Sequence, residues 1–306
     1  MVKLVTGASG FLGRNLVRTL ASRGERVVAL HRRQVPPFQM PQVTWHKVDV
    51  TDSIDWNALL ADVEQVYHLA WSTLPQSSNE SPSSDAVVNI GGTLKLLEAL
   101  RSHPKPRLVF ASSGGTRYGS VESGCAHEDM AAQPRCAYGV SKQAVESYLS
   151  MFERLWGIDH VSLRFSNAFG PDQETGRNFG VVATFVARAL GDQVCTIYGD
   201  GQTERDFLYV DDAVSAMIAA GEKPLSSRAY NIGSGEGRSI FEVVEAIRLA
   251  TGRDVRTIAQ PAREFDAPRT VLDASRAERE LGWKAGTTFE QGLEKVIAAH
   301  RGDCAA

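Results

Sequence analysis

Tyr138 and Lys142 are the pair in this sequence best suited to chemistry, a phenol and an amine four positions apart in Tyr138-Gly139-Val140-Ser141-Lys142. A helix places both on one face. A free tyrosine ionises near pH 10, so poising it near neutrality means lowering its pKa by about three, or roughly 4 kcal/mol in favour of the phenolate. One ammonium about 4 Å away contributes on the order of 4 kcal/mol at an effective dielectric of about 20. Tyr138 is thus a candidate general base and Lys142 the charge that activates it. Such a pair is also common on exposed helix faces, so the rest of the chain has to decide.

The N-terminal segment supports the chemical reading. Lys3-Leu4-Val5-Thr6 reads as a short buried strand, Gly7-Ala8-Ser9-Gly10-Phe11-Leu12-Gly13 as a tight turn, and Leu12, Leu16, Val17 and Leu20 as the apolar stripe of a following helix. Gly7 permits the turn, Gly10 lets the backbone approach a pyrophosphate, and Gly13 lets helix and strand pack closely. The helix N-terminus offers free N–H groups and a positive dipole to phosphate. Strand before and helix after make this a dinucleotide site.

Elements that would position these groups follow from the apolar periodicity. Runs at residues 3–5, 26–30, 43–48, 65–69, 107–111 and 160–164 alternate with helical patterns at 11–22, 55–61, 85–101 and 138–156. That alternation predicts a doubly wound parallel α/β sheet. After Gly170-Pro171 the texture changes to a polar loop, a helix near 181–190, short strands near 195–198 and 229–232, and helices near 240–251 and 289–300. We expect a dinucleotide-binding domain over 1–166 and a smaller mixed α/β substrate domain over 167–306, with 205–235 returning to the first. Residues 75–84, rich in Ser, Asn and Pro, are expected as an exposed loop.

Composition bounds the class. The 306 residues are 43% hydrophobic and 23% charged, with a formal net charge of -3. The balance, with no basic run beyond Arg32-Arg33, argues against nucleic acid as a partner. No apolar stretch is long enough to span a membrane, and the N-terminus lacks the basic and apolar regions of a signal peptide, so the cytoplasm is expected. Cys125, Cys136, Cys195 and Cys304 show neither paired nor metal-ligand spacing, which predicts free thiols and no metal site.

With the Gly7 turn, the Tyr138/Lys142 pair and this layout, the chain resembles the extended short-chain dehydrogenase/reductase family, in its sugar-nucleotide epimerase/dehydratase branch. Further matching segments are Asp49-Val50, His68-Leu69-Ala70, Asn89 with Gly92-Thr93, Ser112-Ser113-Gly114-Gly115-Thr116-Arg117-Tyr118-Gly119, Leu163-Arg164-Phe165-Ser166-Asn167, Tyr198-Gly199-Asp200-Gly201, Arg205-Asp206-Phe207, Tyr209-Val210-Asp211-Asp212 and Asn231-Ile232-Gly233-Ser234-Gly235. The resemblance implies a Rossmann sheet and an NAD or NADP cofactor. Gly7, Gly10, Phe11, Leu12 and Gly13 would bind its pyrophosphate, Asp49 and Val50 would flank the adenine, Leu69, Ala70, Asn89 and Ser112 would line its channel, and Lys142 would hold the nicotinamide ribose. Tyr138 would exchange a proton with a sugar hydroxyl as hydride moves. Asn167, Asn178 and Tyr198 would line the substrate pocket, and Arg205, Arg263 and Arg269 would clamp a nucleotide diphosphate, guanidinium forks matching phosphate oxygens. The helices near 85–101 and 138–156 resemble those that pair into a homodimer in this family. Val87, Ile90, Leu94 and Leu97 form an apolar stripe that serves that purpose or is buried within the subunit.

Two departures bear on function. Gly114 stands where the family usually carries a Ser or Thr, which leaves Thr116, ahead of Ser113, to hydrogen-bond the reacting oxygen. After the second strand, His31-Arg32-Arg33 replaces the usual acidic residue, and an Arg there suits a 2′-phosphate, leaning the choice towards NADP. The leading expectation is a nucleotide-sugar 4-epimerase working through a 4-keto intermediate. An NADPH-dependent 4-ketoreductase would use the same residues for half the cycle. A dehydratase is disfavoured because Gly115-Thr116 replaces its acidic pair, and a non-catalytic NAD(P)-sensing regulator is disfavoured because both Tyr138 and Lys142 are retained. Nucleotide and sugar stay open.

Overall fold

The computed structural model describes residues 1–49, 52, 54–103, 106–121, 123–175 and 180–302. Val50, Asn178 and Cys304 lie outside the described residues, and so do the expectations attached to them. Thirteen strands form among the described residues: β1 (Val2–Thr6), β2 (Arg26–His31), β3 (Val43–Lys47), β4 (Val63–His68), β5 (Arg107–Ser113), β6 (His160–Phe165), β7 (Asn167–Phe169), β8 (Cys195–Tyr198), β9 (Glu204–Tyr209), β10 (Ala229–Ile232), β11 (Gly237–Ser239), β12 (Thr257–Gln260) and β13 (Arg269–Thr270).

Seven of them make an all-parallel sheet in the order β10-β6-β5-β4-β1-β2-β3. Parallel strands covered on both faces must be apolar on both. Accordingly Leu4, Leu108 and Phe110 pack on one side of the sheet, while Val5, Val109 and Tyr67 pack on the other. Leu4 is fully buried, so Leu4→Ala is expected to cost about 2–5 kcal/mol. Chain order reverses between β1 and β4, and the crevice beyond their C-terminal ends is where doubly wound sheets bind ligands.

The helix Phe11–Ser22 and the helix Val210–Glu222 share the Val5 face, and the helices Gly91–Leu100 and Ala137–Trp156 share the Leu4 face. The chain thus returns to the large sheet through Val210–Glu222 and β10. A smaller sheet is built around β9, which pairs with β7 and β13 in parallel and with β11 antiparallel. β8 pairs with β12. The helices Val181–Leu190, Ile240–Thr251 and Phe289–Arg301 close a separate core over this part, around Phe169 and Phe207.

Residues 75–84 correct the expected loop. They form the helices Pro75–Glu80 and Pro82–Asp85, followed by a π-helical turn Ala86–Ile90 that runs into Gly91–Leu100. Each proline sits in a first helical turn, where its missing N–H has no intrahelical partner to lose. The polar side chains that read as loop are used as caps: Ser78 Oγ accepts the Tyr138 N–H and Asn79 Oδ1 accepts the Ala137 N–H, both at 2.9 Å. No helix among the described residues is long and apolar enough to cross a membrane.

Candidate active site

The turn after β1 is shaped by glycine where a side chain has no room. Gly7 has φ 66°, and a Cβ there would lie 2.7 Å from the backbone N of Ala70. A Cβ on Gly13 would lie 2.2 Å from the Gly7 carbonyl oxygen. The Phe11–Ser22 helix begins on Gly10 with no side-chain cap and no acidic residue in its first turn. Its leading N–H groups therefore remain available to an anion, and the turn fits a dinucleotide pyrophosphate.

His68 ties β1 to β4 at this switch point. Thr93 Oγ1 donates to the Asn89 carbonyl at 2.7 Å, so it accepts from His68 Nε2–H at 2.9 Å. Nδ1 then accepts from Thr6 Oγ1 at 2.7 Å, and Thr6 Oγ1 accepts the Ala70 N–H at 3.1 Å. The imidazole is fully buried and held neutral, with a pKa near 3, first by burial and second by the Lys142 charge. Asn89 is itself buried, bonding Ser72, Thr73 and Asp85, so it supports the channel wall from behind.

A cleft of about 500 Å³ runs from the glycine turn to the smaller sheet, and Tyr138, Lys142, Ser112, Ser113, Thr116 and Asn167 all line it. Lys142 Nζ donates to the Ala111 carbonyl at 2.6 Å and lies 5.5 Å from the Tyr138 ring centre. Burial shifts both members of the pair away from the poised state that the spacing predicts. Burial pushes the Tyr138 phenol well above the ordinary range, with Cys136 and Asp85 adding to it. Burial also drives Lys142 well below an ordinary lysine, against the pull of Asp85 and Glu146. Desolvation of both groups outweighs the charge–charge attraction between ammonium and phenolate.

The two candidate hydroxyls are joined, Thr116 Oγ1 donating to Ser113 Oγ at 2.9 Å. Gly114 has a packing reason: a Cβ there would lie 2.5 Å from Leu272 Cδ1. Beneath them Ser112 Oγ donates to Glu146 at 2.5 Å, and Arg164 holds Glu146 through both Nε and Nη2 while donating to Tyr118 at 3.0 Å. Tyr118 Oη donates in turn to Asn231 at 2.7 Å. Sequence reasoning placed Ser112 in the cofactor channel and gave the rest of this network no role, and the family-like Tyr118 and Asn231 prove to be buried within it.

At the far end of the cleft stand Tyr198, Arg205 and Arg263, joined by Arg135 and Arg188, which the sequence gave no reason to single out. Asp266 pairs with Arg263 at 2.7 Å and Arg205 at 3.6 Å, and it is the sole carboxylate residue among the described lining residues. Arg263 lies over the Tyr198 ring at 4.4 Å. Arg269 is not in this lining; it pairs with Glu204 at 2.8 Å. Arg32 pairs with Asp49 at 3.3 Å and Arg33 with Glu174, so carboxylates already face both guanidiniums.

Residues 3–233 match the model of the NAD dependent epimerase/dehydratase family. The chain is 34% identical over 310 residues to the UDP-glucose 4-epimerase of Mycolicibacterium smegmatis, covering 98% of this chain and 99% of that one. Its fold superposes on UDP-glucose 4-epimerase of Thermotoga maritima, solved with UDP-glucose, at a TM-score of 0.94, with 31% identity and full coverage of both chains (100% each). The Thermus thermophilus UDP-glucose 4-epimerase, solved with NAD, gives a TM-score of 0.92 and 34% identity over 99% of each chain.

Proposed function

The chain belongs to the NAD dependent epimerase/dehydratase family, and from that premise we propose that it is a nucleotide-diphosphate-sugar 4-epimerase that retains NAD and takes a uridine diphosphate sugar. The observation that carries the reading is the placement of Tyr138, Lys142, Ser113 and Thr116 on one wall of the cleft that Arg205 and Arg263 close at its other end. A base, two hydroxyls and a pair of anion-binding forks thus share one substrate-sized space.

Arg205 and Arg263 would take the diphosphate in exchange for Asp266, fixing the sugar towards Tyr138. Tyr138 Oη takes the proton of the C4 hydroxyl and later returns it to the oxygen on the other face of the ring. Thr116 and Ser113 hold that oxygen by hydrogen bonds. NAD, held at the Gly7, Gly10 and Gly13 turn, would supply a reversible acceptor for the C4 hydride. Lys142, held by Ala111 O, would turn its remaining N–H groups to the cofactor ribose, and its charge favours the phenolate that burial opposes. Between the two transfers the 4-keto sugar has to turn over inside the cleft. A net reductase would stop after one transfer. A dehydratase would need an acid beside the sugar, and the sole lining carboxylate residue among those described lies with the arginines.

The test is direct. Denaturing the purified protein should release NAD, and the intact protein should interconvert UDP-glucose and UDP-galactose without added reductant. An empty protein that consumes NADPH with a 4-keto sugar would instead establish the reductase.

The proposal extends to a homodimer. Val87, Val140 and Leu155 are 72%, 54% and 61% exposed on the adjoining helical segments, an apolar face that a second copy would cover, whereas Leu97 is buried inside. Light scattering should give twice the 33.3 kDa of one chain; a monomer at micromolar concentration refutes it.

A further inference from the structure

Trp71 lies just beyond the His68-Leu69-Ala70 segment, lines the cleft, and carries no role in the reading above. Its ring centre is 3.6 Å from Lys142 Nζ, and it meets the Tyr138 ring edge-on at 5.7 Å between centres. Phe110 lies behind, 4.8 Å from the same ammonium. The indole N–H is buried and finds no hydrogen-bond acceptor among the described residues.

Resting on the epimerase reading, we propose that Trp71 is a positioning residue for the catalytic pair: its face holds the Lys142 ammonium in the cleft wall while its edge fixes the Tyr138 ring. An ammonium has three donors. One goes to Ala111 O. A carboxylate at the position of Trp71 would bind the others and lock the lysine to the protein. A π face attracts the charge without a directional acceptor, leaving those donors for ligand hydroxyls. The charged and titratable groups around Lys142 are Tyr138 and Glu146 on its own helix, Asp85 at the end of the Pro82–Asp85 helix, and neutral His68 at the end of β4. Asp85 is already engaged by Ser141, Asn89 and Thr73, and Glu146 by Arg164, Arg117 and Ser112. Of the aromatic rings around the ammonium, Trp71 lies nearest.

The test compares Trp71→Leu, which removes the π face, with Trp71→Phe, which keeps one. Lys142 is titrated by carbon NMR of protein labelled at the lysine Cε, its signal assigned by its loss in Lys142→Met. This readout needs no turnover, so it stands apart from the test of the epimerase reading. In Trp71→Leu the proton affinity of Lys142 is expected to fall about tenfold, and in Trp71→Phe by less than about threefold. Activity follows: kcat of Trp71→Leu falls about tenfold at pH 7, its acid limb moving up and its alkaline limb down, and Trp71→Phe restores most of it. Trp71→Met serves in place of Trp71→Leu if that variant does not fold. Lys142 titrating unchanged in the variant without a π face, or shifting equally in both variants, overturns the proposal.

Discussion

Ser78 Oγ accepts the backbone N–H of Tyr138 at 2.9 Å, across a sequence separation of 60 residues. Cys136, the N-cap of the same helix, supplies no side-chain acceptor. The helix that carries the base is therefore capped from another element, by Ser78 and its neighbour Asn79. Because the bonded N–H is that of Tyr138 itself, the cap sets where the phenol begins its reach into the cleft.

Ser78→Ala is expected to cost about 1 kcal/mol of stability, the usual value of an N-cap. It should also lower kcat several-fold while leaving KM for the nucleotide sugar close to wild type, since the diphosphate end is untouched. Denaturant unfolding with steady-state kinetics checks both. A kcat equal to wild type would show that the base does not depend on this cap.

For the joined hydroxyls, Thr116→Ala should lose at least about tenfold in kcat, roughly 1.4 kcal/mol of transition-state stabilisation. Ser113→Ala should lose less, and Thr116→Ser should recover most of the activity by replacing the lost donor. Tyr138→Phe provides the floor, folded and cofactor-binding but without turnover. Because Thr116 donates to Ser113 at 2.9 Å, the double variant should fall short of the sum of the singles. A larger loss at Ser113 than at Thr116 would transfer the leading role to Ser113.

Most of the large sheet was legible because its strands are buried on both faces and read as unbroken apolar runs; residues 26–30 and 160–164 became β2 and β6 with one-residue extensions. The Pro75–Glu80 helix was not, since its Ser and Asn residues bond a helix distant in sequence and local composition carries no trace of that partner. The same limit applies to the site. Spacing alone puts Tyr138 and Lys142 on one helix face, but it says nothing of burial, which here reverses the expected direction for the free phenol. Arg269 looks the same as Arg263 in sequence. Only the fold separates them: Arg263 lines the cleft, while Arg269 pairs with Glu204 outside it. Trp71, Arg135 and Arg188 belong to no spacing pattern and enter the cleft through the fold alone.

His68 gives a stability that depends on pH. Its folded pKa is lowered from 6.5 to about 3 by burial and by Lys142. Between those values the unfolded chain binds a proton that the folded protein refuses, so its contribution is complete above about pH 6.5 and is lost progressively as pH falls towards 3. One such proton gives a slope of about 1.4 kcal/mol per pH unit. His68→Gln should be less stable than wild type at pH 7, and that gap should shrink by about this amount per unit below pH 6. Urea unfolding of the two proteins from pH 7.5 to 4.5 measures it; a gap independent of pH would mean that His68 titrates in the folded protein as it does in the unfolded chain.

The cofactor choice turns on Arg32 and Arg33. A 2′-phosphate entering beside them has to compete with Asp49, 3.3 Å from Arg32, and with Glu174, which bonds Arg33 and lies 3.5 Å from Arg14. The protein is therefore expected to bind NAD more tightly than NADP, against the lean that the two arginines suggest in sequence. Glu174→Gln removes one competing charge while keeping the size and polarity of the side chain. It should strengthen NADP binding by about tenfold, in line with roughly 1.5 to 3 kcal/mol for a charge-assisted hydrogen bond partly screened at the surface. NAD binding should stay within about twofold, because NAD presents no charge at that position. Calorimetry with both dinucleotides on one variant cancels any general change in the cleft. If both affinities move together, Glu174 does not guard the arginines, and the preference has to arise elsewhere in the adenosine end of the site.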